Sequence, residues 1–263
     1  MRTSIFFTLI LFFTLSCNNV DDSPESVPMT EDETKYQNES PVRYSDSLDL
    51  AGLLQAKKEI FLQNASDEKI ALYQSSIDSL ATSGILDAAV KEGMKVPNFT
   101  LVNAIGEQVE LYELLDDGPV VLTWYRGGWC PYCNITLAAL QQVLPDFKAR
   151  NATLVAVSPE IPDSSLSTVD KHALEFEVLS DIDNKVAKEY GIAFEVQPEV
   201  MVAYNQSFSL SAYNGNESNE LPLPATYVID TDGTVKYSFL DTDYRKRAEP
   251  NDIVNVLEEM TLE

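Results

Sequence analysis

The sequence is poor in the residues that bind metals and nucleic acids. It has one histidine, His172, and three cysteines in 263 residues. Two of the cysteines are spaced as half of a zinc site, but no second Cys or His pair completes the four ligands of structural zinc. We therefore predict neither a metal nor another cofactor, and we interpret His172 as a solvated helix residue. Basic residues number 18 against 42 acidic ones, a formal net charge of −24. Such a chain repels polyanions, which argues against a nucleic-acid partner.

The N-terminal apolar stretch, residues 5–13, is shorter than the roughly 20 residues of a membrane-spanning helix. Arg2 precedes it and polar residues follow it, which predicts a secretory signal peptide over residues 1–16. Residues 15–17 (LSC) resemble a bacterial lipobox, which predicts lipidation of Cys17; a plain signal peptide that leaves Cys17 as a free thiol is the alternative. We expect an exported protein, lipid-anchored to a bacterial membrane and facing the periplasm or cell surface, with no other membrane contact.

The rest of the chain divides into three segments. Residues 17–47 are rich in Asp, Glu, Ser, Asn and Pro, which predicts a flexible acidic tether. Residues 48–92 carry apolar side chains at three- and four-residue spacing, which predicts a helical extension. Residues 93–263 alternate strand and helix patterns, which predicts one α/β domain with a central mixed sheet flanked by helices. A nearly continuous apolar run over residues 120–125 is typical of a central strand buried on both faces. Further elements are predicted as a hairpin over residues 96–111, strands at 153–157, 175–179, 225–229 and 235–240, and helices at 168–174, 184–190 and 252–260.

The motif Cys130-Pro131-Tyr132-Cys133 follows the predicted central strand and opens a helix. The free amides and positive dipole end of a helix stabilise a thiolate, lowering the pKa of a cysteine from about 8.5 toward about 3.5–7.5. Pro131 suits the first helical position, where its missing N–H costs nothing. With Cys17 assigned to the anchor, Cys130 and Cys133 are the only pair left for an intramolecular disulfide. The motif therefore predicts a dithiol/disulfide redox site.

Six short segments form an ordered set along the predicted domain. They are VPNFTL (96–101), WYRGGWCPYC (124–133), VSPE (157–160), LSD (179–181), PATYVID (224–230) and DYRKR (243–247). The set resembles the peroxiredoxin-like members of the alkyl hydroperoxide reductase C/thiol-specific antioxidant (AhpC/TSA) family. The resemblance implies a thioredoxin-like fold with the site at the carboxyl end of a central strand. It also implies an oxidoreductase that reduces hydrogen peroxide or organic hydroperoxides and is restored by a thioredoxin-like dithiol reductant.

The site residues depart from the usual pattern of that family. Typical peroxiredoxins carry Pro-x-x-x-Thr-x-x-Cys, whose cysteine attacks the peroxide, and an arginine from a later strand that stabilises the thiolate. By this resemblance Cys133 takes the peroxidatic position. Arg126 then replaces the proline, Cys130 replaces the threonine, and Pro224 stands where the later arginine is expected.

The residues at these positions resemble those of thioredoxins, and this second resemblance keeps a second function open. Trp129-Cys130-x-x-Cys133 is similar to the thioredoxin active site, and Pro224 is similar to the cis-proline that faces it. On this interpretation Cys130 is the exposed nucleophile, Cys133 is the buried resolving thiol, and the substrate is a protein disulfide. A third hypothesis, a binding module on a decayed redox scaffold, is disfavoured because both cysteines are retained.

Two charged features near the site also have two interpretations each. Arg126 either supplies positive charge to the thiolate or is a surface arginine beside a glycine loop. Residues 241–247 carry charges of both signs, for which a solvated ion-pair network is favoured over a ligand site.

Overall fold

The structure is a computed structural model that describes residues 48–262. The predicted signal peptide (1–16), the predicted lipidation site Cys17 and the predicted tether (17–47) lie outside the described residues. Across the described part of the chain, none of the helices combines the length and the apolar character that crossing a bilayer requires.

Helices and strands alternate along most of the described chain. The helices are α1 (Leu50–Asn64), α2 (Asp67–Ala81), α3 (Ile85–Ala88), α4 (Leu111–Asp117), α5 (Pro131–Lys148), α6 (Pro162–His172), α7 (Lys185–Glu189), α8 (Pro198–Asn205), α9 (Leu210–Asn214) and α10 (Pro250–Met260), with a 3₁₀ turn at Ile182–Asn184. The strands are β1 (Thr100–Asn103), β2 (Gln108–Glu110), β3 (Val120–Trp124), β4 (Thr153–Ser158), β5 (Glu177–Ser180), β6 (Ala193–Glu195), β7 (Glu220–Pro222), β8 (Thr226–Ile229) and β9 (Val235–Phe239).

A seven-stranded mixed sheet forms the centre of the fold, in the order β2-β1-β5-β4-β3-β8-β9. Strands β3, β4 and β5 run parallel, while β1, β8 and β9 pair antiparallel with their neighbours. Every residue of β3 is buried, because both faces of the sheet are covered. The predicted central mixed sheet flanked by helices is confirmed.

Alternate residues of the central strands pack into different cores. Val121 of β3 and Leu154 of β4 lie in a cluster with residues of α5 and α10, such as Leu140 and Leu257. Leu122 faces the other side, in a cluster with residues of α4 and α7. This period-two alternation is how a strand contributes to two cores at once. The two clusters, one on each face of the sheet, hold the end of β3 and the loop after it between them.

The N-terminal extension packs beside the CxxC helix. Helix α1 begins at Leu50, where the carboxylates of Asp49 and Glu249 accept backbone N–H groups of its first turn. Leu50 and Leu54 are buried in the same cluster as Leu137 of α5. The extension therefore covers one side of α5 and does not stand apart from the domain.

Residues 192–224 form an insertion that the sequence analysis did not predict. It contains α8, α9 and a two-stranded sheet of β6 and β7. These elements are three to eight residues long, too short for a periodic pattern to show. Tyr204 of α8 lies in an apolar cluster with Tyr73 of α2 and Trp129 of the CxxC loop. The insertion thus meets the extension next to the motif.

The observed ends of other elements differ from the predicted ends by a few residues. Helix α6 begins at Pro162, six positions before the predicted start, because proline suits the first helical turn. Helix α5 continues through Pro145 to Lys148. The predicted hairpin, the strands near residues 155, 178, 227 and 237, and the C-terminal helix are confirmed within a few residues.

Candidate active site

The loop between β3 and α5 turns sharply at two glycines. Gly127 has φ +149°, a backbone conformation that favours glycine. A Cβ atom there would lie 2.3 Å from Nε1 of Trp129. The backbone N–H of Cys130 donates to the carbonyl of Gly127 at 3.0 Å, which closes the turn immediately before the helix. Cys130 is the N-cap residue of α5 and Pro131 is its first residue.

The two sulfur atoms lie in the first turn of α5, away from solvent. Cys130 is 1% exposed and Cys133 is 0% exposed, and both are free cysteines. The thiol of Cys130 donates a hydrogen bond to the sulfur of Cys133. Cys133 also accepts the backbone N–H of Arg126 at 3.5 Å and the guanidinium of Arg247 at 3.3 Å. Cys133 is therefore the acceptor at the centre of three donors.

These donors decide which sulfur carries the negative charge. Burial raises the pKa of Cys133, but the Cys130 hydrogen bond, the Arg247 charge, and the N–H and charge of Arg126 together lower it to about 5. Burial and the hydrogen bond to Cys133 raise the pKa of Cys130 well above its ordinary value. At neutral pH the reduced pair consists of a Cys133 thiolate and a Cys130 thiol.

Arg126 is buried in an aromatic enclosure. It is 4% exposed, and its guanidinium donates to the hydroxyl of Tyr204. Its guanidinium carbon lies 4.3 Å from the ring centroid of Tyr244 and 5.0 Å from that of Trp129, within the range of cation–π attraction. Trp129 in turn stacks on Phe208 of the insertion. The interpretation of Arg126 as a surface arginine is wrong, and its charge acts on the thiolate.

Arg247 is a site residue that the sequence analysis missed. It is 7% exposed and donates to the carbonyls of Tyr244 and Lys246 as well as to Cys133. The predicted ion pairs are present, since Arg245 pairs with Asp243 and Lys246 pairs with Asp241. The expectation of a solvated network over the whole segment is nevertheless wrong. The segment turns at residues 242–245, and it leaves Arg245 and Arg247 buried and Lys246 exposed.

The buried carboxyl group of Glu160 accepts a hydrogen bond from the glycine loop. Glu160, just after β4, is 0% exposed. It accepts the backbone N–H of Gly128 at 2.9 Å and the hydroxyl of Tyr125 at 3.3 Å. Burial raises the pKa of Glu160 to about 7, and the charge of Cys133 contributes in the same direction. The VSPE segment around it contributes to the family resemblance, but the spacing of these residues predicts no role for Glu160.

The family assignment rests on a direct comparison. The family model described as "AhpC/TSA family" matches residues 93–238, which is more than half of the chain. The chain belongs to the AhpC/TSA family. This AhpC/TSA protein places Cys133 at the carboxyl end of a central strand, as the resemblance implied, and its fold is thioredoxin-like.

Two curated relatives and one solved structure show the range of similarity. The chain is 29% identical over 159 residues to a chloroplastic peroxiredoxin Q of Triticum aestivum, covering 60% of this chain and 63% of that protein. It is 22% identical over 158 residues to the thiol-disulfide oxidoreductase ResA of Bacillus thuringiensis (strain Al Hakam), covering 60% of this chain and 74% of that protein. The crystal structure of peroxidoxin BcpB from Mycobacterium tuberculosis matches with a TM-score of 0.52 at 22% identity, covering 65% of this chain and 98% of that one. The chain thus spans less than two-thirds of the wheat protein, and the structural likeness supports the fold.

Three expectations from the thioredoxin interpretation need correction in this AhpC/TSA protein. Cys130 is not exposed, since it is 1% exposed and lies in a buried cluster that also contains Leu50 and Leu54 of α1. The thiolate is Cys133, because its sulfur accepts the Cys130 thiol, the backbone N–H of Arg126 and the guanidinium of Arg247. The peptide bond before Pro224 is trans, as are all peptide bonds of residues 48–262.

Two predicted residues remain, Pro224 and His172. Pro224 lines a crevice together with Arg126 and Tyr244. His172 ends α6 and is half-buried, not solvated, and burial lowers its pKa to about 4. Among the residues that the structure describes, no hydrogen bond joins His172 to Cys130 or Cys133. In the described part of the chain no three His, Cys, Asp or Glu side chains are grouped as metal ligands.

Proposed function

We propose that this AhpC/TSA protein is a thiol peroxidase in which Cys133 attacks a hydroperoxide. The observation that carries the proposal is the buried Cys133 thiolate, held by the guanidinium of Arg247 and the backbone N–H of Arg126, with a thiol already hydrogen-bonded to it. The thiolate is the nucleophilic form of cysteine. The peroxiredoxin Q relative supports the same activity.

The first step is oxidation of Cys133. Its thiolate attacks one oxygen of the hydroperoxide, an S–O bond forms and the O–O bond breaks. The sulfur loses two electrons and becomes a sulfenic acid, while the leaving oxygen takes a proton and departs as an alcohol or water. Arg126 and Arg247 supply fixed positive charge where negative charge moves from sulfur to oxygen.

The second step closes the disulfide inside the motif. The Cys130 sulfur attacks the sulfenic sulfur of Cys133, an S–S bond forms, the S–O bond breaks, and the hydroxyl leaves as water with the Cys130 proton. The two sulfur atoms are already hydrogen-bonded, so the partner for this step is in place before the peroxide arrives. A thioredoxin-like dithiol then reduces the disulfide by exchange and becomes a disulfide itself.

A disulfide oxidoreductase without peroxidase activity is the second candidate function. The Trp129-Cys130-x-x-Cys133 motif and the similarity to ResA favour it. The burial of both sulfur atoms opposes it, because a protein disulfide has to reach the attacking sulfur directly. Hydrogen peroxide is far smaller and needs less opening.

The test compares the two substrates on the same purified, reduced protein. We expect hydrogen peroxide to oxidise it much faster than it oxidises a free cysteine, and a model protein disulfide to react more slowly. Cys133→Ser should abolish peroxide consumption. Cys130→Ser should still be oxidised once and accumulate a sulfenic acid that a dimedone probe labels at Cys133. A peroxide rate no faster than that of free cysteine contradicts the proposal, and a dominant disulfide rate establishes the second candidate.

We also propose that the protein is exported and lipid-anchored through Cys17. The charged and apolar pattern of residues 1–16 and the lipobox-like residues 15–17 support this proposal. In a bacterial host, the full chain should incorporate labelled fatty acid and fractionate with membranes, and Cys17→Ser should do neither. Labelling that persists in Cys17→Ser contradicts the anchor.

A further inference from the structure

Two buried guanidiniums stand beside the cysteine pair without a carboxylate partner. Arg126 and Arg247 are both almost completely buried. Within residues 48–262, their side-chain hydrogen bonds go to the Tyr204 hydroxyl, to backbone carbonyls and to the Cys133 sulfur. A buried charge that lacks a counter-ion is strongly unfavourable. In the reduced protein, the Cys133 thiolate is therefore the negative charge that balances these arginines.

Formation of the disulfide removes this negative charge. Two electrons pass from the sulfur atoms to the oxidant and the Cys130 proton is released, so that a thiol and a thiolate become two neutral sulfur atoms. Arg126 and Arg247 keep their charges, because arginine does not lose its proton in proteins. The backbone N–H of Arg126 and the guanidinium of Arg247 also lose the thiolate as their acceptor. The oxidised site thus holds buried positive charge with no anion to balance it.

A narrow crevice gives solvent ions a path to Arg126. It has an interior volume of about 30 Å³, and half-exposed residues of α2, including Ser76 and Leu80, line it together with Arg126. The Nε atom of Arg126 is buried and makes no hydrogen bond to any residue that the structure describes. The rings of Trp129 and Tyr244 lie against the guanidinium. A ligand in the crevice therefore meets an unused N–H donor on a charged group.

The size of the crevice and its donor select the kind of anion. A cavity needs roughly 10–15 Å³ to hold one water molecule, so a crevice of about 30 Å³ has no room for sulfate or phosphate. A carboxylate prefers two parallel N–H donors of a guanidinium, and Tyr204 already accepts from one terminal nitrogen of Arg126. A monatomic anion needs only a single donor and little space. Chloride meets both conditions.

We propose that the disulfide form of this protein binds a chloride ion at Nε of Arg126, and that the dithiol form does not. In the dithiol form the Cys133 thiolate repels the anion and already balances the guanidiniums. An anion that binds only the disulfide form makes the disulfide harder to reduce, by one plus the ratio of the chloride concentration to Kd. The inference holds for any oxidant that forms the disulfide, so it goes beyond the proposed peroxidase function.

The experiment measures the line width of the chloride NMR signal with the purified full chain at about pH 8. Diamide oxidises the cysteine pair without peroxide, dithiothreitol reduces it, and sodium sulfate keeps the ionic strength constant. We expect the disulfide form to broaden the chloride signal well beyond the dithiol form. Arg126→Gln, which lacks the charge and the Nε donor, should remove this difference. Equal broadening by the two forms of the wild-type protein overturns the proposal.

Two serine variants separate the loss of charge from the disulfide itself. Cys130→Ser retains the Cys133 thiolate, whereas the double variant Cys130→Ser/Cys133→Ser has no thiolate and cannot form the disulfide. Under reducing conditions, the double variant should broaden the chloride signal and Cys130→Ser should not. Equal broadening by these two variants contradicts the role of the thiolate charge.

A redox titration tests the consequence for reduction. For the wild-type protein in equilibrium with dithiothreitol, chloride at about ten times Kd should shift the equilibrium about tenfold towards the disulfide, and sulfate at equal ionic strength should not. A protein that binds chloride as a disulfide but consumes no peroxide overturns the peroxidase proposal alone. A protein that consumes peroxide but binds chloride equally in both forms overturns the chloride site alone.

Discussion

Replacement of Arg247 by methionine removes the guanidinium that donates to the Cys133 sulfur at 3.3 Å and keeps a side chain of similar length. Arg247 is almost completely buried, so its charge acts on the thiolate with little screening by solvent. At this separation and an effective dielectric constant of about 20, two unit charges interact by about 5 kcal/mol.

The expected change in pKa follows from that energy. Arg126 and Cys130 remain in the variant and retain part of the stabilisation, so we take about half of the interaction as lost. At about 1.4 kcal/mol for each pKa unit, the pKa of Cys133 rises from about 5 to about 7. Near pH 6 the thiolate fraction then falls by about tenfold, whereas near pH 8 it changes little.

The assay is a pH titration of the reduced protein by thiolate ultraviolet absorbance, which needs no substrate. The second-order rate with hydrogen peroxide, measured over the same pH range, should follow the same curve. Arg245→Met is the matched control, because Arg245 pairs with Asp243 and makes no hydrogen bond to the sulfur. If Arg247→Met still titrates near its wild-type midpoint, or if Arg245→Met shifts equally, the assignment of Arg247 as the main charge on the thiolate is refuted.

Three other substitutions test the surroundings of the site. Gly127→Ala places a Cβ atom 2.3 Å from Nε1 of Trp129 at a positive φ, so urea unfolding should show a loss of about 2–4 kcal/mol; an unchanged midpoint contradicts the strain. The pKa of Glu160 is raised from 4.5 to about 7, so the stability it contributes is complete below about pH 4.5 and is lost as the pH rises through about 7. Glu160→Gln should therefore remove a pH-dependent loss of about 3 kcal/mol over that range, and an identical slope in wild type and variant rejects the raised pKa. Leu54→Ala opens the buried cluster that contains both cysteines; we expect a loss of about 2–5 kcal/mol and faster alkylation of the thiols, and slow alkylation despite the lost stability argues against α1 as their cover.

Local sequence patterns were sufficient to predict the strand and the helix that position the two cysteines. The apolar run of β3 predicted a strand buried on both faces, and all of its residues are buried. Pro131 and the following apolar stripe predicted the start of α5. The three-residue spacing of Cys130 and Cys133 placed both sulfur atoms in one helical turn. These features depend on residues close in the chain, so the sequence shows them directly.

Local sequence patterns did not predict the insertion or the burial of the cysteines. The elements of residues 192–224 are too short for periodicity, and their order comes from packing Tyr204 against α2 and Trp129. The prediction of an exposed Cys130 failed for the same reason. It lies in a buried cluster with Leu50 and Leu54, which are distant in sequence and join the cluster because α1 packs on α5.

The sequence by itself determined that two cysteines stand at a strand-to-helix junction, where their exchange between dithiol and disulfide is chemically natural. Only the tertiary structure decided which of them is the thiolate. Arg247 lies 114 residues from Cys133, and Tyr204 lies 78 residues from Arg126, so neither pairing has a signature in local spacing. Electrostatic interaction depends on distance in space and on exclusion of solvent. Both were set when the segment after β9 and the insertion packed around the end of β3.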